Sequence, residues 1–383
     1  MIQTDIAIAG GGAAGLALAL ALHKHGQQAQ VFDAGTAEAG RADKRILALS
    51  HGSMQCLDWL GVWTKLATKS APITTIHVSQ RGGLGRTRIT AQEQKVPALG
   101  YVCPAAELVA ALQDAAANAG ITVHRQSRVA NAEIDNDAVR FQAGERAFSA
   151  KLLAYAEGTV DDGPHLRTRD YDQHAITCTA TLTVPHHGWA WERFTSHGPV
   201  ALLPVDGGVD SAREVAVVYT CPAEAAADLQ ALDDATFAAR LESEFNGRVS
   251  VEAVTQRHRF PLGLRYRDTT TGPRQVWLGN AAQTLHPVAG QGYNLALRDI
   301  RDLACSLAGT MDPGAQEGLA HYAARRRIDR RSTIGFTDGL VHLFSNDQSL
   351  LGHARGAGLF ALDLLPPLRG FVADRMMFGA RAW

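Results

Sequence analysis

The chain has 383 residues, 46% of them hydrophobic and 20% charged, with a formal net charge of −1. That length supports a sizeable core and two intimately connected domains, and the near-neutral balance argues against nucleic acid as a partner. Five cysteines, Cys56, Cys103, Cys178, Cys221 and Cys305, stand far apart with no C-x-x-C pair. They point to a reducing cytoplasm and away from a disulfide framework or a zinc site.

The first element is a buried-strand pattern, Asp5-Ile6-Ala7-Ile8-Ala9, followed at once by Gly10-Gly11-Gly12-Ala13-Ala14-Gly15 and an apolar helix over residues 16–25. A second strand, Ala29-Gln30-Val31-Phe32, ends in Asp33, 18 residues beyond Gly15. Strand, glycines, helix and acid stand in the register of a dinucleotide site. The glycines permit a tight turn and close approach to a pyrophosphate, and the acid accepts ribose hydroxyls. Residues 6–22 carry no charge, but four glycines within them, and no basic segment ahead, favour a turn over a membrane anchor.

Further along, residues 74–89 alternate polar and apolar side chains, as strands inserted from a second sheet do. A long helix over residues 105–119 leads through Gly120 to a strand at 121–124, and another strand covers 152–156. Residues 175–183, 200–204 and 214–219 read as antiparallel strands forming the floor of a substrate site. The domains are therefore interleaved. A nucleotide domain is expected over 1–73, 101–170 and 270–312, a substrate domain over 74–100 and 171–269, and a helical region over 313–383. Within the substrate strands, Gln173 and His174 read as substrate-facing or solvated positions, the solvated reading being favoured because alternation turns half the positions outward. Glu192 beside Arg193 reads as a surface pair or a substrate contact.

The strand Val276-Trp277-Leu278 opens a second ligand loop, GNAAQTLHPVAGQGYNLALRD, spanning residues 279–299. Tyr293, Leu297, Ile300, Ala304 and Leu307 then recur at helical spacing, so the loop delivers a helix N-terminus with free N–H groups. Gly290 and Gly292 let the backbone approach a ligand. Beside them, His286 and Pro287 are the weak candidates for a catalytic role, and no catalytic base is named. The run His321 to Arg331, HYAARRRIDRR, reads as a solvated helix face. Gly356-Ala357-Gly358 follows no strand, so it is not a second nucleotide fingerprint. The apolar C-terminal residues, broken by Pro366-Pro367, either cover the core or dock on partner subunits or a bilayer surface.

The two ligand loops together resemble those of class A flavoprotein monooxygenases, single-component aromatic hydroxylases with the para-hydroxybenzoate hydroxylase fold. Asp43-Lys44-Arg45-Ile46-Leu47-Ala48-Leu49 is similar to the D-x-R-x-x-A-L of the ubiquinone-biosynthesis branch. Three runs resemble the members of that branch that hydroxylate polyprenylated methoxyphenols. They are Ile76-His77-Val78-Ser79-Gln80-Arg81-Gly82, Trp191-Glu192-Arg193-Phe194-Thr195-Ser196-His197-Gly198-Pro199, and the run from Ile334-Gly335-Phe336-Thr337-Asp338 to Ser345-Asn346.

The resemblance implies an α/β fold, a Rossmann-like FAD-binding domain interleaved with an antiparallel-sheet substrate domain, followed by C-terminal helices. It also implies a monooxygenase that inserts oxygen through a flavin C4a-hydroperoxide, with FAD as cofactor, NAD(P)H as electron donor, and a polyprenylated phenol and O2 as substrates. Gly10, Gly12, Ala13, Ala14, Gly15, Asp33, Arg45 and the Val129 backbone would hold the ADP part. Asn280, Pro287, Gly290, Gln291, Gly292 and Asn294 would hold the flavin end, and no metal is expected. It further suggests a ubiquinone-biosynthesis complex or an oligomer, and a cytoplasmic location peripheral at the inner membrane. The chain departs from the broad flavoprotein pattern with Glu157-Gly158 for Asp-Gly, with Asn280 for the aspartate at the ribityl chain, and with Cys103-Pro104-Ala105-Ala106 where a polar residue is frequent. Three other readings stay open. One is a sister or other phenol hydroxylase, one a non-catalytic flavoprotein-like subunit, and one an NAD-dependent dehydrogenase, which would leave the late loop unexplained.

Overall fold

In the computed structural model, residues 1–83, 85–158, 165–205, 211–344 and 349–380 are described; Ser345 and Asn346 of the third motif lie outside them. Strand Ile2–Ala9 sits in the middle of a parallel array whose order is Gln275–Trp277, Arg146–Tyr155, Ile2–Ala9, Ala29–Phe32, Val123–His124. Parallel strands covered on both faces read as continuous apolar runs. Here Ile6 and Ile8 pack with Leu16, Leu18 and Leu22 of helix Ala13–Lys24. Ala7 and Ala9 turn the other way, into Phe32, Phe141 and Phe148. The antiparallel hairpin of Val129–Ile134 and Val139–Ala143 extends the array beside Arg146–Tyr155.

A second sheet of nine strands runs from Gln283–Thr284 through His258–Arg267, Leu166–Leu182, Glu214–Pro222, Gly198–Pro204, Trp189–Thr195 and Thr75–Gln80 to Arg86–Thr90, with Val251–Val254 joined to its long strand. All its pairs are antiparallel except Trp189–Thr195 with Thr75–Gln80. Its outer face, with Ile176, Val200, Leu202, Val217 and Tyr219, is covered by helices Ala223–Ala231 and Asp234–Glu244 through Ala226, Phe237 and Leu241. Its inner face turns towards the nucleotide domain. The expected architecture, with the two sheets interleaved along the chain and helices at the C-terminal end, is the observed one.

The run at 321–331 has a solvated face, with His321, Arg325, Arg327 and Arg331 exposed, but it also has a buried one that the sequence reading missed. It lies in helix Gln316–Phe344, and Arg326, Asp329 and Arg330 are buried at 5%, 3% and 8% exposure. Arg326 pairs with Asp299 at 2.6 Å and with Asp329 at 2.5 Å, Arg298 pairs with Asp329 at 2.8 Å, and Arg330 donates to Gln283 Oε1 at 2.7 Å. Arg298 and Asp299 come from helix Gln291–Ser306, Asp329 shares the helix of Arg326, and Gln283 stands just ahead of the late helix, so this ionic seam fixes the late helix against its neighbour. A buried charge survives only when it is paired and hydrogen-bonded, and here the facing helix supplies both. Gly356-Ala357-Gly358 lies inside helix Ser349–Leu364.

Candidate flavin and substrate site

The first loop is shaped by backbone crowding. Gly10 has a φ of +109°, and a Cβ there would stand 2.7 Å from the Ala156 carbonyl oxygen, while one on Gly15 would strike the Gly10 carbonyl. Gly12, by contrast, faces open space. That asymmetry leaves the approach side of the turn free for a pyrophosphate while its back is locked to the sheet. Gly12 also caps helix Ala13–Lys24 without a side-chain bond, and no acid stands in the first turn. Asp33 lies across the loop, where a Cβ on Gly11 would meet its carboxylate, and Arg125 Nη1 donates to Asp33 Oδ2 at 2.5 Å. Arg125 escaped the sequence reading, because nothing in the sequence ties the end of strand Val123–His124 to Asp33. Val129 begins the hairpin strand and packs on the Phe32 cluster.

The late loop meets this turn directly. Tyr293 donates from its hydroxyl to the Ala13 carbonyl at 3.3 Å, and a Cβ on Gly279 would lie 3.3 Å from Ala14 Cβ. Two helix starts therefore converge, those of Ala13–Lys24 and Gln291–Ser306. The second is capped by Gly290 in the left-handed region at φ 60°, also without a side-chain bond or a first-turn acid. Ala289, likewise at φ 60°, holds a conformation that costs a non-glycine residue about 1–2 kcal/mol. Gly292 faces open space and Pro287 is exposed. Helix starts with free N–H groups attract negative charge, so the pair suits both a pyrophosphate and the electron-rich edge of a reduced ring. The residues present fit FAD.

Several predicted residues position the loop through their own side chains. Asn294 donates to the Ala48 and Gly290 carbonyls at 3.0 and 2.7 Å and accepts from Ser50 N at 2.9 Å, which joins strand Ile46–Ser50 to the late helix. Gln291 Nε2 donates to the Ala289 carbonyl at 3.2 Å and the Met376 carbonyl at 3.4 Å. Asn280 donates to the Gly158 carbonyl at 3.2 Å, so two of the three departures from the flavoprotein pattern touch one another. Arg45 is exposed and folds onto Asp43 at 2.6 Å. His286 is 1% exposed. Its Nδ1 accepts from Val288 N at 3.1 Å, which puts the ring proton on Nε2, and burial lowers its pKa to about 4.

Phe194 from the substrate sheet, Val288 from the loop, Val341 from helix Gln316–Phe344 and Leu359 from helix Ser349–Leu364 form one apolar cluster, joined by Val78, Tyr171 and Leu340. Tyr171 lies edge-on to His286 at 5.6 Å and donates to Asp338 at 2.8 Å. Gln173 Oε1, Thr220 Oγ1, His286 Nε2 and Thr337 Oγ1 are among the polar atoms buried without a partner in the described residues. Gln173 is thus not solvated; it is 7% exposed, and its Nε2 donates to the His197 carbonyl at 3.0 Å. Nor do Glu192 and Arg193 form a pair. Strand alternation sends them to opposite faces. Arg193 is buried on the outer face, donating to the Glu244 carbonyl and Ser79. The outer face also carries a half-open cavity of about 590 Å³, lined by Trp189, Trp191, His77 and Arg248, that is separated from the flavin loop by the sheet.

Two converging helix starts, an acid at the ribose position and an apolar site under a Pro-Val turn together define a flavoprotein. The FAD binding domain family matches residues 3–335, and the chain belongs to it. It is similar to the ubiquinone hydroxylase UbiL of Rhodospirillum rubrum, at 33% identity over 380 residues, which is 95% of this chain and 87% of that one. It is also similar to the 3-demethoxyubiquinol 3-hydroxylase of Escherichia coli, at 29% identity over 94% of this chain and 95% of that one. Among solved structures, PqsL of Pseudomonas aeruginosa in complex with 2-aminobenzoylacetate shares the fold, with a TM-score of 0.76 at 20% identity over 94% of this chain and 99% of that one. The protein is an FAD-dependent monooxygenase, as the sequence resemblance implied.

Proposed function

We propose that this monooxygenase hydroxylates the aromatic ring of a polyprenylated methoxyphenol in ubiquinone biosynthesis, using O2 and electrons from NAD(P)H. The observation that carries the reading is its 33% identity, over nearly the whole chain, to a ubiquinone hydroxylase. The geometry supports it with an alkyl-lined cluster of Phe194, Val288, Val341 and Leu359 beside the flavin loop, chemically matched to a ring bearing a prenyl tail.

FAD, when bound, supplies electron transfer and the activation of oxygen. The chain's own residues do the rest. Gly10, Gly12, Gly15 and Asp33 bind the ADP part, and Arg45, released from Asp43, offers a fork of donors to a phosphate. Pro287 and the backbone from Val288 to Gly292 line the ring, and the apolar cluster excludes water. His286 keeps its ring neutral and presents an Nε2–H donor into the site.

We extend the proposal to peripheral contact with a bilayer, where a prenylated substrate dissolves. Support comes from Phe360, Leu364, Leu365, Leu368 and Phe371, all exposed by more than 40% at the bend between the last two helices. Among the described residues, no single helix is long and apolar enough to cross a membrane. Cells lacking the chain, grown with oxygen, test the main reading. Accumulated 2-polyprenyl-6-methoxyphenol with depleted ubiquinone, measured by mass spectrometry, supports it. Normal ubiquinone without that intermediate overturns it.

A further inference from the structure

Glu192 is the unexplained group of the inner face. It lies on strand Trp189–Thr195 between Ala190 and Phe194, with Val78 and Ala201 opposite it on the two neighbouring strands. Phe194 and Val78 belong to the cluster that contains Val288, the residue after Pro287. Ala190 belongs to a second apolar cluster with Ile73 and Val102. Glu192 thus stands between two apolar clusters, on the same face as the side chains that meet the flavin loop. Part of its surface remains reachable by water, yet its carboxyl has no hydrogen bond or ion pair with any described residue. An unpaired acid in apolar surroundings is expensive to keep, and such positions are where ligands are met.

We infer that Glu192 is a catalytic residue that touches the hydroxyl of the bound phenol and takes its proton. The phenol O–H bond breaks, an O–H bond forms on a Glu192 carboxylate oxygen, and the electron pair stays on the phenolate oxygen. Nothing is oxidised or reduced in this step. The phenolate is the more electron-rich ring, and so the better one for accepting an electrophilic oxygen. After turnover Glu192 returns its proton to the product oxygen or to water.

The surroundings leave the acid free to do this. The neighbouring strands contribute only Val78 and Ala201 beside it. The loop contributes His286, neutral, and the long substrate strand contributes Tyr171, bonded to Asp338. Helix Gln316–Phe344 contributes Asp338, paired with Arg169, and His342 bonded to the Asp338 carbonyl. None of these charges acts on Glu192. Burial alone pushes its carboxyl up to about 7, so it gains and loses a proton near neutrality.

The inference rests on the proposed reading only in requiring a phenol as substrate. The test uses the FAD-loaded, oxidised protein and para-nitrophenol, whose phenolate is coloured and whose phenol is not. In the wild type the bound probe should ionise in a step near pH 7. Because the free probe ionises in the same range, the reading is the displacement of the bound probe's step. Glu192→Gln should shift it by about one pH unit or more while retaining FAD, Glu192→Asp should shift it less, and turnover of a phenol at neutral pH should fall by about 100-fold in the Gln variant. In the wild type above that pH, probe binding should also raise the infrared carbonyl band of a newly protonated carboxylic acid, which needs no variant. An ionisation step unchanged in Glu192→Gln, a missing carboxylic-acid band, or failure of the probe to bind each overturns the inference. If cells lacking the chain make normal ubiquinone while the probe still titrates with Glu192, the pathway reading fails and the role of Glu192 stands.

Discussion

Two regions of this molecule bury charge, and they do it in opposite ways. Between helices Gln291–Ser306 and Gln316–Phe344, Arg298, Asp299, Arg326 and Asp329 are buried as mutual partners. Where the inner face of the substrate sheet meets the late loop, the half-buried Glu192 and the buried His286 have no opposite charge beside them, and burial moves each towards its neutral form. The first arrangement is complete without a ligand and serves the fold. The second is incomplete on its own and serves something that enters. Paired buried charge marks structure, and unpaired buried charge marks the site.

The largest effect should come from breaking the paired region. Asp329→Ala leaves Arg298 in the interior without its paired carboxylate and takes one of the partners of Arg326, and chemical denaturation should show a loss of about 3–5 kcal/mol. The unpaired region should respond with the opposite sign. Because the folded-state pKa of Glu192 lies above its ordinary value, folding stability falls as pH rises from about 4.5 to about 7 and stays low above that. Glu192→Gln should therefore stabilise the protein at pH 8, by up to about 3 kcal/mol, and the gain should vanish in acid. A variant that is both less active and less stable at pH 8 would break the comparison.

His286 sharpens it from the acid side. Its folded-state pKa is depressed, so stability is full above about 6.5 and is lost as pH falls towards 4. Replacing it with Phe should reduce the wild type's acid sensitivity, by about 2 kcal/mol at pH 5 in thermal unfolding. The smallest stability effect belongs to Arg45, whose exposed pair with Asp43 is worth about 0–1 kcal/mol. Arg45→Ala should leave unfolding nearly unchanged and weaken FAD retention roughly tenfold, if its guanidinium turns to the cofactor as a charge-assisted donor. Equal FAD retention on gel filtration would remove Arg45 from the site.

The glycine turn, Asp33 and the late loop were legible in the sequence because each is a local pattern with one physical meaning, and the structure brings them to one place. Glu192 was not legible as an inner-face residue. Both faces of its sheet are covered, one by helices and one by the nucleotide domain, so alternation along Trp-Glu-Arg-Phe could not say which side was which. Arg193 was misread for the same reason. The HYAARRRIDRR run looked solvated because charge density normally means water. The signal that could have corrected this lay elsewhere, in Arg298, Asp299 and Asp302 of the late helix. Those three residues are the counter-charges, and they become meaningful only once the two helices are known to touch. Arg125 is the same case in miniature, a partner for Asp33 supplied by a strand far along the chain.

The pairing order of the nucleotide sheet also governs how this protein is made. Strand Ile2–Ala9 is central, yet its neighbour Arg146–Tyr155 comes much later, and the next strand out, Gln275–Trp277, is later still. Contacts between such distant segments are slow to form, because a long loop must close before any of them is rewarded. During synthesis the amino-terminal strand and its glycine turn leave the ribosome early and wait, with one edge unpaired, for most of the chain to follow. A nascent chain stopped short of Trp277 therefore has half a cofactor cradle and an open sheet edge, the combination that chaperones hold and proteases find first.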